Sequence, residues 1–70
     1  PAAVVDRLLA GESPVKVWRE HRALTQSGLA RASGVNRVVV AGIEAGRKGG
    51  SVRSLKALAA ALGVGIDDLV

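Results

Sequence analysis

The reactive side chains in this chain set a limit on its chemistry. Its 70 residues include no cysteine and a single histidine, His21. Disulfide and thiolate chemistry are therefore excluded, and one histidine cannot make a metal cluster or a typical acid/base pair. The sequence shows no recognisable nucleophile–base pair. We expect neither an enzyme nor a bound cofactor or metal.

Positive charge is concentrated in the middle of the chain. Residues 16–56 hold nine of the ten Lys/Arg residues and two of the six Asp/Glu residues, a net charge of +7 within a total of +4. Residues 1–15 carry −1 and residues 57–70 carry −2. This distribution favours a surface that faces a polyanion, with an ordinary solvated set of charges as the alternative.

The elements that must position these charges are helical. Strand-forming aromatic residues are nearly absent, while apolar residues recur at three- and four-residue steps between capping residues. The pattern predicts an all-α bundle of five to six short helices over residues 2–10, 14–22, 26–32, 37–45 and 52–62, with a final turn at 66–69. The expected N-caps are Ser13, Thr25, Asn36 and Ser51. The expected inward residues are Val4, Val5, Leu8, Leu9, Val15, Trp18, Leu29, Ala30, Val40, Ile43, Val52, Leu55, Leu58, Ala59 and Leu62.

The length and the apolar content point to one small domain. Only 22 apolar residues are larger than alanine, so nearly all are needed in the core and a partner subunit would help. No apolar run approaches the ~20 residues that span a bilayer. We expect a lead-in helix and linker at 1–14, a domain at 15–70, and a longer or processed parent chain, because position 1 is not Met.

Two of the predicted helices form a pair with a characteristic connection. Helices 26–32 and 37–45 are joined through Ser33-Gly34-Val35-Asn36, a short glycine-containing turn typical of a helix-turn-helix. Small helical bundles also contain such pairs by chance, so the surrounding residues decide how specific the signal is.

Those residues resemble the phage-repressor/Cro-like (XRE-type) helix-turn-helix family. The resemblance covers residues 15–70 in register. It is carried by Trp18 to Gln26 with Leu29-Ala30, by Gly34-Val35-Asn36, by Ile43 to Lys48, and by the tail Ser51, Leu55, Leu58-Ala59, Leu62-Gly63-Val64 and Asp68-Leu69. It implies a lambda-repressor-like fold and double-stranded DNA as the partner.

The resemblance also implies which residues face the bases. The helix at 37–45 would enter the major groove with Arg37, Val38, Val39 and Gly42 toward base edges. Arg37 can contact guanine O6 and N7 together, whereas the valines offer only apolar contact, for example to thymine methyls. Gly42 leaves a gap or allows close backbone approach.

The sequence contains several candidate residues for contacts to DNA phosphates. Helix N-termini and basic loops suit phosphate oxygens, and the candidates are Thr25, Gln26, Asn36, Arg47, Lys48 and Ser51. Arg31 and Arg53 are either rim contacts or solvated charges.

Three further residues are assigned structural roles. The resemblance implies that Arg19 pairs with Glu44, with two unrelated surface charges as the alternative. Trp18 is expected in the core, and His21 is expected to be an ordinary surface residue.

The function implied is a DNA-binding transcriptional regulator in the cytoplasm, associated with the nucleoid. We expect a dimeric autorepressor on a two-fold operator. The lead-in of residues 4–19 resembles helix-turn-helix antitoxins of toxin–antitoxin operons, which implies a cognate toxin as a further partner. The dimer surface would be the helix at 2–10 or the tail with Val64, Ile66, Leu69 and Val70.

Val38 and Val39 depart from the family pattern, which is polar at these positions. They leave open a second hypothesis, in which the helix-turn-helix scaffold is a protein-interaction module and the exposed valines bind a partner.

Overall fold

A computed structural model describes all residues, 1–70, as five α-helices and one 3₁₀ turn. The helices are α1 (Ala2–Leu9), α2 (Pro14–His21), α3 (Gln26–Ser33), α4 (Arg37–Glu44) and α5 (Val52–Leu62), followed by the 3₁₀ turn Ile66–Asp68. The all-α fold expected from the sequence is confirmed, with helix ends within one residue of the expected positions. No helix is long and apolar enough to cross a membrane.

Helices α2 to α5 begin where the sequence places a capping side chain. Each cap accepts a main-chain N–H from the first turn of its helix, a donor that would otherwise lack a partner. The shortest of these bonds joins Asn36 Oδ1 to the Val38 N–H at 2.8 Å. The four caps are Ser13, Thr25, Asn36 and Ser51.

The core lies where α5 meets α2, α3 and α4. Helix α3 packs on both α4 and α5, and α2 packs on α4 and α5. The buried cluster consists of Val15, Leu29, Val40, Leu55, Leu58, Ala59, Leu62 and Leu69. Trp18 and Ile43 are half-buried against it. Seven residues of the buried cluster were expected in the core. The eighth, Leu69, comes from the C-terminal tail.

The core differs from the expectation at its edges. Val52 is 63% exposed, because it is the first residue of α5 and stands one turn before the first buried residue, Leu55. Val5 and Leu9 are also exposed, at 50% and 82%. Val17, which was not expected inside, is completely buried.

Helix α1 is docked on α2 by packing and by charge. Val4 is buried, and Arg7 Nη2 lies 2.7 Å from Glu12 Oε1 and 2.6 Å from Glu20 Oε1. The Arg7 guanidinium lowers the pKa of both carboxyl groups, mainly through these hydrogen bonds. All three side chains are partly solvated, so this bridge orients α1 more than it stabilises it.

The loop after α4 approaches the core through Gly50. Its φ of +79° lies in the left-handed region, and a Cβ placed there would meet Ile43 Cδ1 at 2.8 Å and Leu55 Cδ2 at 3.5 Å. Glycine is required at this position for two independent reasons, conformation and space.

We predict that Gly50→Ala lowers the free energy of unfolding by about 1–2 kcal/mol, the cost of a left-handed alanine, with the Ile43 contact adding to it. Urea unfolding followed by Trp18 fluorescence measures the change. Gly49→Ala is the matched control, because a Cβ at Gly49 meets nothing within 4 Å. Equal stability of the two variants would contradict this account of the loop.

Candidate nucleic-acid interface

The helix-turn-helix is built from α3, a three-residue turn and α4. Gly34 ends α3 with φ +75°, a conformation that reverses the chain direction at little cost for glycine. Val35 is half-buried against the core, and Asn36 caps α4. The turn therefore anchors the start of α4 to the bundle, while the solvent-facing side of the helix stays free.

A nearly buried ion pair holds the other end of α4. Arg19 Nε donates to Glu44 Oε2 at 2.7 Å and Arg19 Nη2 donates to Glu44 Oε1 at 3.0 Å. A third donor, Arg19 Nη1, reaches the carbonyl oxygen of Leu24 at 2.7 Å. The two side chains are 10% and 5% exposed. The carboxylate raises the pKa of Arg19, mainly through its hydrogen bonds.

Gln26 extends this pair toward the surface. Its Nε2 donates to Glu44 Oε1 at 3.2 Å, and its Oε1 accepts from Arg37 Nη1 at 3.5 Å. The orientation of the amide follows from its neighbours, since the carboxylate accepts only and the guanidinium donates only. The sequence analysis assigned Gln26 to phosphate contact and did not foresee this link. It ties the first side chain of α4 to the core.

The four residues expected to face bases are not equivalent in the structure. Arg37 and Val38 are exposed, Val38 at 62%. Val39 is half-buried and lines a hollow with Asn36 and Arg53. Arg37 and Val38 therefore stand outward, while Val39 presents only part of its side chain.

Gly42 is buried although it belongs to the outward side of α4. A Cβ at this position would lie 3.3 Å from Lys48 Cδ and 3.5 Å from Lys48 Cγ. The space that the sequence analysis left as a gap is thus occupied by the lysine stem.

The residues expected at phosphates retain free donors. Thr25 and Ser51 each accept a main-chain N–H through their hydroxyl oxygen. Thr25 can still donate its hydroxyl proton, and Asn36 keeps its NH₂ group free of its capping bond. Ser51 donates its proton to Ser54 Oγ at 3.0 Å, so it is the least available of the three.

The structure also contains exposed basic side chains that form no ion pair. None of the ion pairs in the structure involves Arg31, Arg37, Arg47, Lys48 or Arg53, and all five side chains are exposed. A cationic surface free of internal partners can take up an anionic ligand without first breaking its own ion pairs.

The family comparison identifies the kind of domain to which this helix-turn-helix belongs. Residues 15–69 match the model of the helix-turn-helix family, the part of the chain that holds α2 to α5 and the 3₁₀ turn. The chain belongs to the XRE-type (phage-repressor/Cro-like) helix-turn-helix family. It is accordingly a DNA-binding domain of the kind found in transcription regulators, and double-stranded DNA is its partner. No curated protein and no solved structure matches the sequence significantly.

Trp18 and Arg22 contribute to the packing of this XRE-type domain. Trp18 is half-buried, and its Nε1 is buried without a hydrogen-bond partner. Arg22 lies 5.7 Å from the Trp18 ring centroid and donates to the Leu62 carbonyl at 2.9 Å. His21 is exposed, with its ring edge-on to Trp18. Arg22 joins α2 to the end of α5, a contact that no sequence signal indicated.

We predict that Arg19→Met lowers the free energy of unfolding by about 3 kcal/mol or more, since it strands the Glu44 carboxylate in a nearly buried site. This is most of the stability that a domain of this size has. Arg31→Met is the control, because Arg31 has no partner in the structure. Chemical denaturation of both variants measures the difference, and matching midpoints would show that the pair contributes little.

Proposed function

We propose that this XRE-type domain acts as a dimeric autorepressor of antitoxin type, in the cytoplasm and nucleoid, and binds a two-fold operator through α4. The observation that carries the proposal is the exposed start of α4. There Arg37 stands outward beside a helix N-terminus, among cations that have no internal partners. Phosphate contacts from these cations orient the domain, and the base contacts of α4 supply sequence preference.

Arg37 is the main source of hydrogen-bonded base readout. Its guanidinium can donate to guanine O6 and N7 together, and the contact with Gln26 restricts its position before DNA binds. Val38, one residue further along α4, adds an apolar surface suited to a thymine methyl. Each half-site is then read by few hydrogen bonds, which makes a second half-site important for specificity.

The size of the chain supports binding as a dimer. Its longest dimension is 29 Å, whereas successive major grooves on one face of DNA are about 34 Å apart. One copy therefore reads one groove segment, and two copies related by a two-fold axis read two.

Helix α1 is the better of the two dimer surfaces considered. Val5 and Leu9, four residues apart on α1, are exposed on the same face. In the C-terminal tail, by contrast, Leu69 is buried and Val64 and Ile66 pack against the core, leaving Val70 exposed. We propose that the outward face of α1 pairs with α1 of a second copy.

The antitoxin assignment rests on the lead-in. Residues 4–19 resemble the segment that precedes the domain in helix-turn-helix antitoxins, and α1 is docked on α2 by Val4 and the Arg7 bridge. A cognate toxin is the proposed second partner, and repression of the chain's own promoter is the proposed activity.

An alternative is favoured by a specific observation, the 62% exposure of Val38. In that case α4 binds a protein partner through Val38 and Val39, and DNA binding is secondary. The two proposals differ in whether affinity depends on Arg37 or on Val38.

We predict that the chain binds a duplex from its own promoter with an affinity that falls steeply with salt, since each neutralised phosphate releases counterions. Arg37→Ala should weaken this binding by about 1–3 kcal/mol and relax sequence preference. Lys56→Ala, which removes a charge outside the proposed interface, is the control. Fluorescence anisotropy at several salt concentrations measures both. DNA binding that changes neither with salt nor with Arg37→Ala would contradict the proposal. If Val38→Ser also weakened the capture of a protein partner, the protein-interaction alternative would be favoured.

We predict that Leu9→Glu converts the dimer to a monomer in light scattering, because it places a carboxylate in the apolar α1 contact. Val70→Glu, which places a carboxylate at the exposed apolar residue of the C-terminal tail, should leave the dimer intact. If Val70→Glu abolished the dimer and Leu9→Glu did not, the dimer contact would lie in the C-terminal tail instead.

A further inference from the structure

The outward face of α4 carries a side chain that does not belong to α4. Lys48, from the loop that follows the helix, lays its stem against Gly42. A Cβ at Gly42 would lie 3.3, 3.5 and 3.8 Å from Lys48 Cδ, Cγ and Cε. Three successive carbons of the lysine therefore follow the surface that a side chain at position 42 would cover.

The main chain holds this arrangement in place. The Gly42 carbonyl accepts the N–H of Arg47 at 2.9 Å and the N–H of Lys48 at 3.3 Å. These bonds fold the end of α4 back on itself, so the lysine begins close to the glycine that it covers. Any larger residue at position 42 would force the stem to move.

The covered position lies on the side of α4 that faces away from the core. Gly42 follows Val38 by four residues, so the two share one helix face, and Val38 is 62% exposed. The core side of α4 is occupied instead by Val40 and Ile43. Gly42 and the Lys48 stem that covers it thus lie on the face that the proposed function turns toward DNA.

The ammonium group of Lys48 is free to bind a ligand. None of the ion pairs or side-chain hydrogen bonds in the structure involves it. Its neighbour Arg47 is exposed as well. Lysine commonly buries its stem on apolar surface while its charged end stays in solvent. Here the packing of the stem on Gly42 restricts where the ammonium group can lie.

We propose that Lys48 is a base-reading residue, supplied from the loop in place of the side chain that Gly42 lacks, and that its ammonium donates to O6 and N7 of a guanine in the major groove. This inference rests on the proposed role of α4 in DNA reading. It gives each half-site a second guanine contact besides that of Arg37. The glycine is then a specificity feature, since it opens the track along which the lysine reaches the bases.

Selection from a randomised duplex library by the full chain provides the test. The enriched duplex, and versions with each G·C pair changed in turn, are then titrated with wild type, Lys48→Met and Arg47→Met. Lys48→Met should lose about 10- to 100-fold in discrimination at one G·C pair per half-site, whereas Arg47→Met should weaken all duplexes alike. If Lys48→Met instead weakened binding to all duplexes alike, and the salt dependence of affinity fell by about one phosphate contact, Lys48 would be a phosphate contact. That result would overturn the inference.

A double-mutant cycle with Gly42→Val tests the route through the glycine. The valine side chain occupies the track of the lysine stem, so Lys48→Met should cost nothing further at the same base pair once Gly42→Val is present. Additive losses would show that Lys48 does not act along Gly42. Thermal unfolding of all variants checks that the fold is kept. A wild type that enriches no duplex would overturn the proposed function and the inference together, whereas enrichment unchanged by Lys48→Met would overturn the inference alone.

Discussion

The Arg19–Glu44 ion pair joins three parts of the domain. It connects α2 to the end of α4, and through the Leu24 carbonyl it also fixes the segment that leads into α3. Both groups are nearly excluded from water, so neither can leave the pair without stranding the other charge. The angle of α4 to the bundle is determined by this contact at one end and by the Gly34–Asn36 turn at the other.

From this pair a line of polar contacts runs outward to the surface that we propose binds DNA. Glu44 accepts a hydrogen bond from the side-chain amide of Gln26, and Gln26 accepts one from Arg37, the first residue of α4. The same carboxylate therefore takes part in stability and in the placement of the outermost guanidinium. Such coupling would let a domain with few proposed base-reading side chains present them in a defined position, because the ordering cost is met during folding and not during binding. Toward the C-terminal end of α4, the proposed reading surface is organised differently, by Lys48 packed on Gly42.

Most of the fold could be predicted from the sequence, because its signals are local. The caps at Ser13, Thr25, Asn36 and Ser51 define where helices begin, and each depends on an oxygen within three residues of the N–H that it accepts. Three- and four-residue spacing identified Leu29, Val40, Leu55 and Leu58 as core residues. The predicted burial was wrong at positions where it depends on how neighbouring helices pack. Val52 and Leu9 are exposed and Val17 is buried. Periodicity gives the side of a helix that faces inward, but not how far along the helix the neighbour extends.

The sequence by itself determined the helices, the helix-turn-helix connection, the family and the set of residues available for DNA contact, since all of these follow from residue type and short-range spacing. Only the tertiary structure decided how those residues work together. Gln26 is drawn into the Glu44–Arg37 line, Val39 is half-covered, Leu69 belongs to the core, and Lys48 takes the place beside Gly42. These outcomes depend on distances between segments separated in the chain. Such distances come from the packing of all five helices together, and no local pattern encodes them.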